Sequence, residues 1–307
     1  MDTVQTLRAF VEVAQRGSFS AAGRALGIAT SVVAKRVGDL EARTGTRLFR
    51  RSTREVTLTE AGQSWIGRVR PMLADMEDLL ASARDGGRAL EGPLRIKAPT
   101  TLSILYLGGM LASFQHLHPK IVLDIVLTDR PVNPAEEGFD LALAVFGSSY
   151  TGVTDVPLCA VRRLLCATPG YLGARGTPAH PRDLAAHDTL SFGPTGRVWP
   201  FSGAQGPVLV EVAPRLSAND GQLLLAGARA GNGIALLSEY VALPLLRTGE
   251  LVTVLPAFPV PDIWLKALVP NGRLQVGRIQ ALLRYLQDRF LPDPPWSAAG
   301  ANAGTCG

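Results

Sequence analysis

Seven basic side chains fall within residues 35–54: Lys35, Arg36, Arg43, Arg47, Arg50, Arg51 and Arg54. Only Asp39 and Glu41 oppose them, so this stretch carries a net charge of +5, equal to that of the whole 307-residue chain. Localised positive charge is the footprint of a polyanionic partner. A solvated basic face would account for the charge alone, but not for the residues that lead into it. Thr30 and Ser31 can bond phosphate oxygens or base edges, and Lys35 and Arg36, one turn on, can reach guanine acceptors or phosphates. A second set of hydroxyls, on Thr100, Thr101 and Ser103, follows an apolar run that ends at Pro99. Hydroxyls and free amides where a strand gives way to a helix suit an anion or a polar ligand.

The first set must be positioned by short helices. Leu7, Phe10, Val11 and Ala14 form an apolar stripe that Gly17 can stop. Ser18 or Ser20 can cap a second helix containing Ala21, Ala22, Ala25 and Leu26, small enough for close packing. Gly27 then makes a turn, and Thr30 or Ser31 can cap a third helix that buries Val33, Val37 and Leu40. Its other face presents Ser31, Ala34, Lys35 and Gly38, with Arg36 at the flank. This is the helix-turn-helix layout, which sends the start of its second helix into the major groove of double-stranded DNA. Beyond Gly45, Leu48 and Phe49 can anchor a basic excursion, Arg50-Arg51-Ser52-Thr53-Arg54, which returns through Val56-Thr57-Leu58. Such an excursion is a wing, placed to touch the backbone or minor groove. The candidate DNA contacts are therefore Ser20, Thr30, Ser31, Lys35, Arg36, Arg50, Arg51, Ser52, Thr53 and Arg54.

Thr59 can cap a long helix from Glu60, whose apolar residues Trp65, Val69, Met72, Met76, Leu79, Leu80 and Ala83 recur at three- and four-residue steps. Pro71 predicts a kink near Gly67. From Gly92 onward, short Val/Ile/Leu runs alternate with helical patterns, an α/β arrangement. Expected strands are 94–98, 121–127, 141–145, 163–168, 209–212, 234–237 and 263–269. Alternation places Arg95 and Lys97 together on a solvated strand face. The chain divides into a winged helix-turn-helix over 1–58, a linker helix and hinge over 59–91, an α/β region over 92–294 and a frayed tail over 295–307.

Enzyme signatures are missing: there is no GxSxG, P-loop or HExxH pattern. Gly227, Gly231 and Gly233 do not form a dinucleotide fingerprint. His116 and His118 point apart, and His180 and His187 lie in loops, so no metal site, cofactor or catalytic residue is expected. Cys159, Cys166 and Cys306 form no CxxC pair and read as reduced structural thiols. With no signal pattern and no long apolar run, a cytoplasmic protein without membrane contact is expected.

The chain resembles the LysR-type regulator family. The resemblance rests on Gly-Ser-Phe-Ser-Ala-Ala at 17–22, Ala25-Leu26, Leu40-Glu41, Gly45 with Arg47-Leu48-Phe49-Arg50-Arg51, and Thr57 through Gly62. It continues through Gly92 to Ile96, Phe114 to Pro119, Gly138 to Ala142, Pro169 to Leu172, Asp183-Leu184 and Ala230 to Ala235. It implies a transcriptional regulator with an all-α winged N-terminal domain and a sensor built from two α/β subdomains, like those of periplasmic binding proteins. Subdomain I takes 92–162 and 264–294, and subdomain II takes 163–263, with crossings near 161–163 and 263–267. A small-molecule effector would sit between them, lined by Thr100, Thr101, Leu102, Ser103, Thr128, Phe146, Phe192, Trp199, Asn219 and Asp220. Homodimers paired through the linker helix, assembling as dimers of dimers, would read an interrupted inverted repeat, with RNA polymerase a further partner. A constitutive or architectural DNA-binding protein without an effector is the alternative. Two departures stand out. Ala29, Thr30, Ala34 and Lys35 replace residues usual on the family's reading face, and Ala144-Val145-Phe146 stand where many relatives carry an arginine.

Overall fold

The computed structural model describes residues 2–51, 56–85, 90–145, 149–204 and 206–297. Three helices open the chain: α1 (Thr3–Arg16), α2 (Phe19–Leu26) and α3 (Thr30–Thr44). Asp2 caps α1 and Ser18 caps α2, whose Ala21 amide donates to the Ser18 hydroxyl at 3.3 Å. Each helix ends on a left-handed glycine, Gly17, Gly27 and Gly45, with φ between 60° and 65°. The start of α3 differs from expectation. Its N-cap is Ala29, and no side chain caps it. The helix begins one residue early, at Thr30 itself, so the Thr30 and Ser31 hydroxyls are not consumed by capping.

The apolar faces of α1, α2 and α3 meet in a core around Phe10, Val13, Ala22, Val33 and Val37, all fully buried. Burying a phenylalanine such as Phe10 contributes roughly 1.5–3 kcal/mol. The antiparallel hairpin of β1 (Phe49–Arg51) and β2 (Val56–Leu58) is held to this core by Phe49, whose ring meets Phe10 at 5.5 Å and Phe19 at 5.9 Å. Beneath it, the Glu41 carboxylate accepts from the amides of Leu48, at 2.8 Å, and Phe49, at 3.1 Å. Helix α4 (Glu60–Asp85) follows, and Thr59 caps it as expected, its hydroxyl accepting from the Gly62 amide at 2.9 Å. Gly62 has to be glycine: a Cβ there would lie 2.1 Å from the Leu48 carbonyl oxygen. The helix continues through Pro71 to Asp85.

The α/β region follows in order: β3 (Gly92–Ala98), α5 (Thr100–Leu102), a π-helical turn (Ser103–Leu107), α6 (Gly108–Leu117), β4 (Ile121–Leu127), α7 (Pro134–Glu137), β5 (Leu141–Ala144) and β6 (Val153–Val161). Next come β7 (Arg163–Ala167), α8 (Pro169–Arg175), β8 (Thr189–Phe192), β9 (Val198–Gly203), β10 (Gly206–Glu211), β11 (Pro214–Ala218), α9 (Gly221–Arg229), β12 (Ile234–Ser238), α10 (Glu239–Thr248) and β13 (Val252–Val254). β14 (Ile263–Pro270) and α11 (Gly277–Phe290) close it. Two five-stranded sheets result, ordered β4-β3-β5-β14-β6 and β11-β8-β12-β7-β13. The chain passes from the first to the second at Arg162 and returns between β13 and β14.

Three details depart from the expectations. Strands β6, β8, β9, β11 and β13 were not foreseen; β8, β9, β11 and β13 are short, and β6 is interrupted by Asp155 and Pro157. Lys97 is not on a solvated face. It is 4% exposed, because β3 lies between parallel neighbours and its end is covered where the second sheet faces it. Arg95, its partner in the alternation, is half-buried with its guanidinium 5.1 Å from the centre of the Phe139 ring. The expected tail does not fray at its start: Trp296 is 3% exposed and meets Tyr240 at 5.1 Å, Tyr106 at 5.3 Å and Phe290 at 5.9 Å. An indole buried against three rings holds the chain as far as Ser297.

The Glu41 clamp yields a graded expectation. Glu41→Ala leaves two buried amides without an acceptor and should cost about 2–3 kcal/mol, whereas Glu41→Gln keeps an acceptor and should cost less. Hydrogen exchange at the Leu48 and Phe49 amides checks this: protection should fall most in the alanine variant, and equal protection in all three proteins would show that Glu41 does not hold the hairpin.

Candidate DNA interface and ligand pocket

Helix α3 offers one polar face. Thr30, Ser31 and Lys35 are exposed on it, while Val33, Val37 and Leu40 are buried opposite. Arg36 is half-buried at the edge, and its guanidinium donates to the Gln5 side chain at 3.5 Å. That bond holds Arg36 against α1 and leaves Lys35 as the longer free reach. Ser20 is exposed on α2, its hydroxyl 3.0 Å from that of Ser18. Arg50 is exposed on β1, and Arg51 ends that strand. Ser52, Thr53 and Arg54 lie outside the described residues. A helix with free hydroxyls at its start, a cation one turn on and a basic hairpin beside it present the groups that position a protein on phosphates and read bases.

The second site lies where the two sheets face each other. A cavity of about 160 Å³ is lined from one sheet's side by Lys97, Thr101, Asp129, Ala142, Ala144 and Tyr150. From the other come Arg163, Phe192, Leu236, Leu237, Ser238 and Tyr240. The lobes are clasped at its edge. Thr101 donates its hydroxyl proton to Asp220 at 2.9 Å and accepts from the Gly221 amide at 3.1 Å. The start of α9 supplies both partners, because Asp220 is its N-cap, accepting from the Leu223 amide at 2.9 Å.

Of the residues expected to line this site, Thr101 and Phe192 do so, and Asp220 reaches it through Thr101. Thr100 uses its amide to bond Asp129 at 3.2 Å. Thr128 accepts from the Arg130 amide at 3.4 Å. Ser103 is buried in the π-helical turn, and Asn219 is exposed before α9. Two expectations are corrected. Leu102 is fully buried in the core beneath the first sheet. Trp199 is 1% exposed in the packing of the β9–β10 hairpin against β7 and β12, because its strand face turns inward there. Phe146 lies outside the described residues.

Sequence reasoning missed Lys97, Asp129, Tyr150, Arg163 and Tyr240. The available signal was a lysine in the apolar run Leu94 to Ala98, directly before Pro99. Burial lowers the Lys97 pKa, partly opposed by the charge of Asp129. Burial likewise pushes the Tyr240 hydroxyl up to about 12, and the buried thiols of Cys159 and Cys166 to about 12. Both thiols are thereby kept protonated and unreactive. Cys306 lies outside the described residues. Three of the four histidines have structural partners: His118 packs 4.6 Å from the Phe114 ring, His180 accepts from the Arg182 amide, and His187 bonds the Tyr171 hydroxyl.

Both halves match known families. Residues 4–63 match the bacterial regulatory helix-turn-helix protein, lysR family, and residues 87–291 match the LysR substrate binding domain. The chain belongs to the LysR family of transcriptional regulators. It is 30% identical over 295 residues to the probable HTH-type transcriptional regulator LtrA of Klebsiella pneumoniae, covering 94% of this chain and 95% of the relative. Its fold is shared with the full-length structure of AphB, the Vibrio cholerae virulence activator, at a TM-score of 0.62 and 23% identity, over 94% of this chain and 99% of the other. ArgP from Mycobacterium tuberculosis has a TM-score of 0.68 at 19% identity, covering 94% of this chain and 97% of ArgP. This LysR-family chain is thus a transcriptional regulator joining a DNA-binding helix-turn-helix to an effector-binding domain. No helix among its described residues is long and apolar enough to cross a membrane.

The exposed groups of this LysR-family winged helix should separate into readers and anchors. Lys35→Ala should weaken binding to a preferred DNA site by about 1–3 kcal/mol if Lys35 reads a base. Arg36→Ala should cost less, because Arg36 is held by Gln5. Arg50→Ala should weaken binding to all sequences and reduce the salt slope by about 1. Gel shifts across a salt series check all three, and unchanged affinities would remove these residues from the interface.

Proposed function

We propose that this protein binds DNA as a homodimer, pairing through α4, and that a small molecule between its two α/β lobes alters that binding. The observation that carries the reading is the course of residues 129–137. Asp129, Arg130, Pro131 and Val132 form one wall of the cavity. The chain then enters α7, which packs on α4 and on β14. The contact is close: a Cβ on Gly67 of α4 would lie 2.7 Å from the Glu136 carbonyl oxygen. Arg130 and Glu137 brace the segment with two charge-assisted hydrogen bonds between their side chains. One short, braced segment therefore touches both the ligand space and the helix that carries the DNA-binding domain. Lobe closure on a ligand would move this wall and shift the balance between assemblies that hold DNA differently. The effector-free alternative leaves the built cavity without a role.

Dimerisation is supported by the exposed Met72 and Met76 on α4 and by an adjoining groove lined by Leu7, Leu40, Trp65 and Val69. A twofold pair would present two α3 helices to half-sites separated by a helical turn or a small multiple, as an interrupted inverted repeat requires. A dimer of dimers extends the same reading.

Two outcomes follow. Sedimentation at working concentration should give a dimer or tetramer, and a monomer would overturn the assembly. Gly67→Val should push α4 off α7. DNA affinity, measured on a site selected from random sequence, should then no longer change with an effector that shifts the wild-type protein. A full response in the variant would show that the signal does not travel through this contact.

A further inference from the structure

Four charged residues line the cavity: Lys97, Asp129, Arg130 and Arg163. Three of them are less buried than Lys97 and have partners of their own, although Arg163 keeps further donors and Asp129 a second carboxylate oxygen. Arg130 is forked onto Glu137. Asp129 accepts from the Thr100 amide at 3.2 Å. Arg163 gives two donors to the Pro261 carbonyl, at 3.3 and 3.1 Å. Lys97 differs. Its ammonium makes one hydrogen bond, to the Leu143 carbonyl at 3.3 Å, and has no ion-pair partner among the described residues. A lysine has three donors, so two remain, on a side chain that is 4% exposed. Nearby Lys266 shows the usual solution: it is paired with Asp155 at 3.1 Å.

The surroundings of Lys97 define what could meet those donors. On the adjacent strand Lys97 stands in register with Ala142, and Ala142, Ala144 and Val145 all line the cavity. Small side chains on β5 leave space beside the ammonium. Leu236, Leu237 and Phe192 bring apolar surface from the other lobe. The volume, about 160 Å³, is close to that of cavities that accept a benzene-sized molecule. A doubly charged inorganic anion suits this setting poorly, because most of the wall could not solvate it.

We propose that Lys97 is the anion-recognising residue of the effector pocket, and that the effector is a small organic monocarboxylate with an apolar body of benzene size or less. This rests on the reading of the cavity as the ligand site. The carboxylate would take the two free donors of the ammonium, and the apolar body would fill the space between β5 and β12. Burial already penalises the Lys97 charge, and a bound anion would relieve that penalty.

The test uses the full chain and matched probes: acetate, butyrate, benzoate and phenylacetate, each against its neutral amide, with inorganic phosphate alongside. Binding is read by calorimetry. At least one carboxylate should bind at least tenfold more tightly than its amide, and Lys97→Gln should remove that tenfold preference. Lys97→Met, which keeps the stem, should do the same, and thermal unfolding of each unliganded variant checks the fold. Ala144→Phe fills the cavity without touching the charge and should abolish binding of acid and amide alike. Equal binding of acid and amide, an unchanged preference in both Lys97 variants, or Lys97-dependent binding of phosphate as tight as that of the carboxylates would overturn the carboxylate assignment while leaving the pocket intact. Carboxylate binding that survives Ala144→Phe would place the ligand elsewhere and overturn the pocket reading too. No binding by any carboxylate at 10 mM, on the order of the weakest useful affinity, would overturn both.

Discussion

The cavity exists because two lobes that share no sheet are held together by a common apolar core, by Trp296 packed between Tyr106 and Tyr240, and at the cavity edge by the polar clasp of Thr101. Thr101 stands at the start of α5, at the carboxyl end of β3. Its hydroxyl gives its proton to Asp220 and takes one from the Gly221 amide. Both partners are at the start of α9, in the other lobe. Donor and acceptor capacity are thus both used across the gap, and Asp220 is fixed in turn by capping its own helix. A Cβ on Gly221 would come within 3.3 Å of the Thr101 hydroxyl oxygen, so the absence of a side chain lets the helix end approach this closely. The chain crosses between lobes only at its two connections, which permit a hinge. The clasp, with the aromatic packing of Tyr106, Tyr240 and Trp296, holds the lobes in their arrangement in this structure.

Elsewhere the fold is organised by buried carboxylates that hold backbone rather than do chemistry. Glu41 receives two amides and fixes where the hairpin leaves α3. Asp140 accepts from the Arg95 amide at 2.6 Å, and Arg273, only 4% exposed, donates to its other oxygen. That pairing ties the start of β5 to β3 and to the turn before α11. A buried ion pair of this kind adds little net stability against apolar packing, but loss of one partner leaves a charge stranded. Its effect is to set register. The strand that carries Ala142 and Ala144 past Lys97 begins at this anchor, so the cavity wall inherits its position from Asp140.

The N-terminal half was largely legible in the sequence because its determinants are local. Glycines at 17, 27 and 45, the Ser18 cap and the three-and-four spacing of Val33, Val37 and Leu40 act within one or two turns, and each appears in the structure where the pattern puts it. The failures there are equally local: Ala29 replaced a hydroxyl cap, and nothing in the spacing distinguishes the two. The cavity was far less legible. Its walls come from residues more than a hundred positions apart, such as Lys97 and Tyr240. Thr101 could be found because a strand end followed by hydroxyls is a recurring arrangement. Lys97 could not, because alternation presumes a solvated face and the end of β3 is covered where the second sheet faces it. Trp199 was misplaced for the converse reason. An aromatic residue reads the same whether its strand turns it toward a ligand or into a hairpin core.

A buried lysine with no carboxylate within ion-pair distance among the described residues, and only more distant charges, chiefly Asp129, to offset its burial, is a poor choice for a chain that only has to fold. An apolar residue would pack at β3 without losing hydration. The cost becomes intelligible if the site has two states. In an open arrangement, water reaches the ammonium. In a closed one, the second lobe covers it with Phe192, Leu236 and Leu237, and the charge needs a partner. A ligand shifts an equilibrium only by the difference in its affinity for the two states. An anion seated on Lys97 would gain most in the closed state, where low polarity strengthens the pairing and where the unoccupied lysine is most penalised. The same side chain would therefore resist closure when empty and favour it when filled. That is the property a two-lobed sensor requires, and under the proposed reading the switch would lie at Lys97 rather than at the DNA-binding helices.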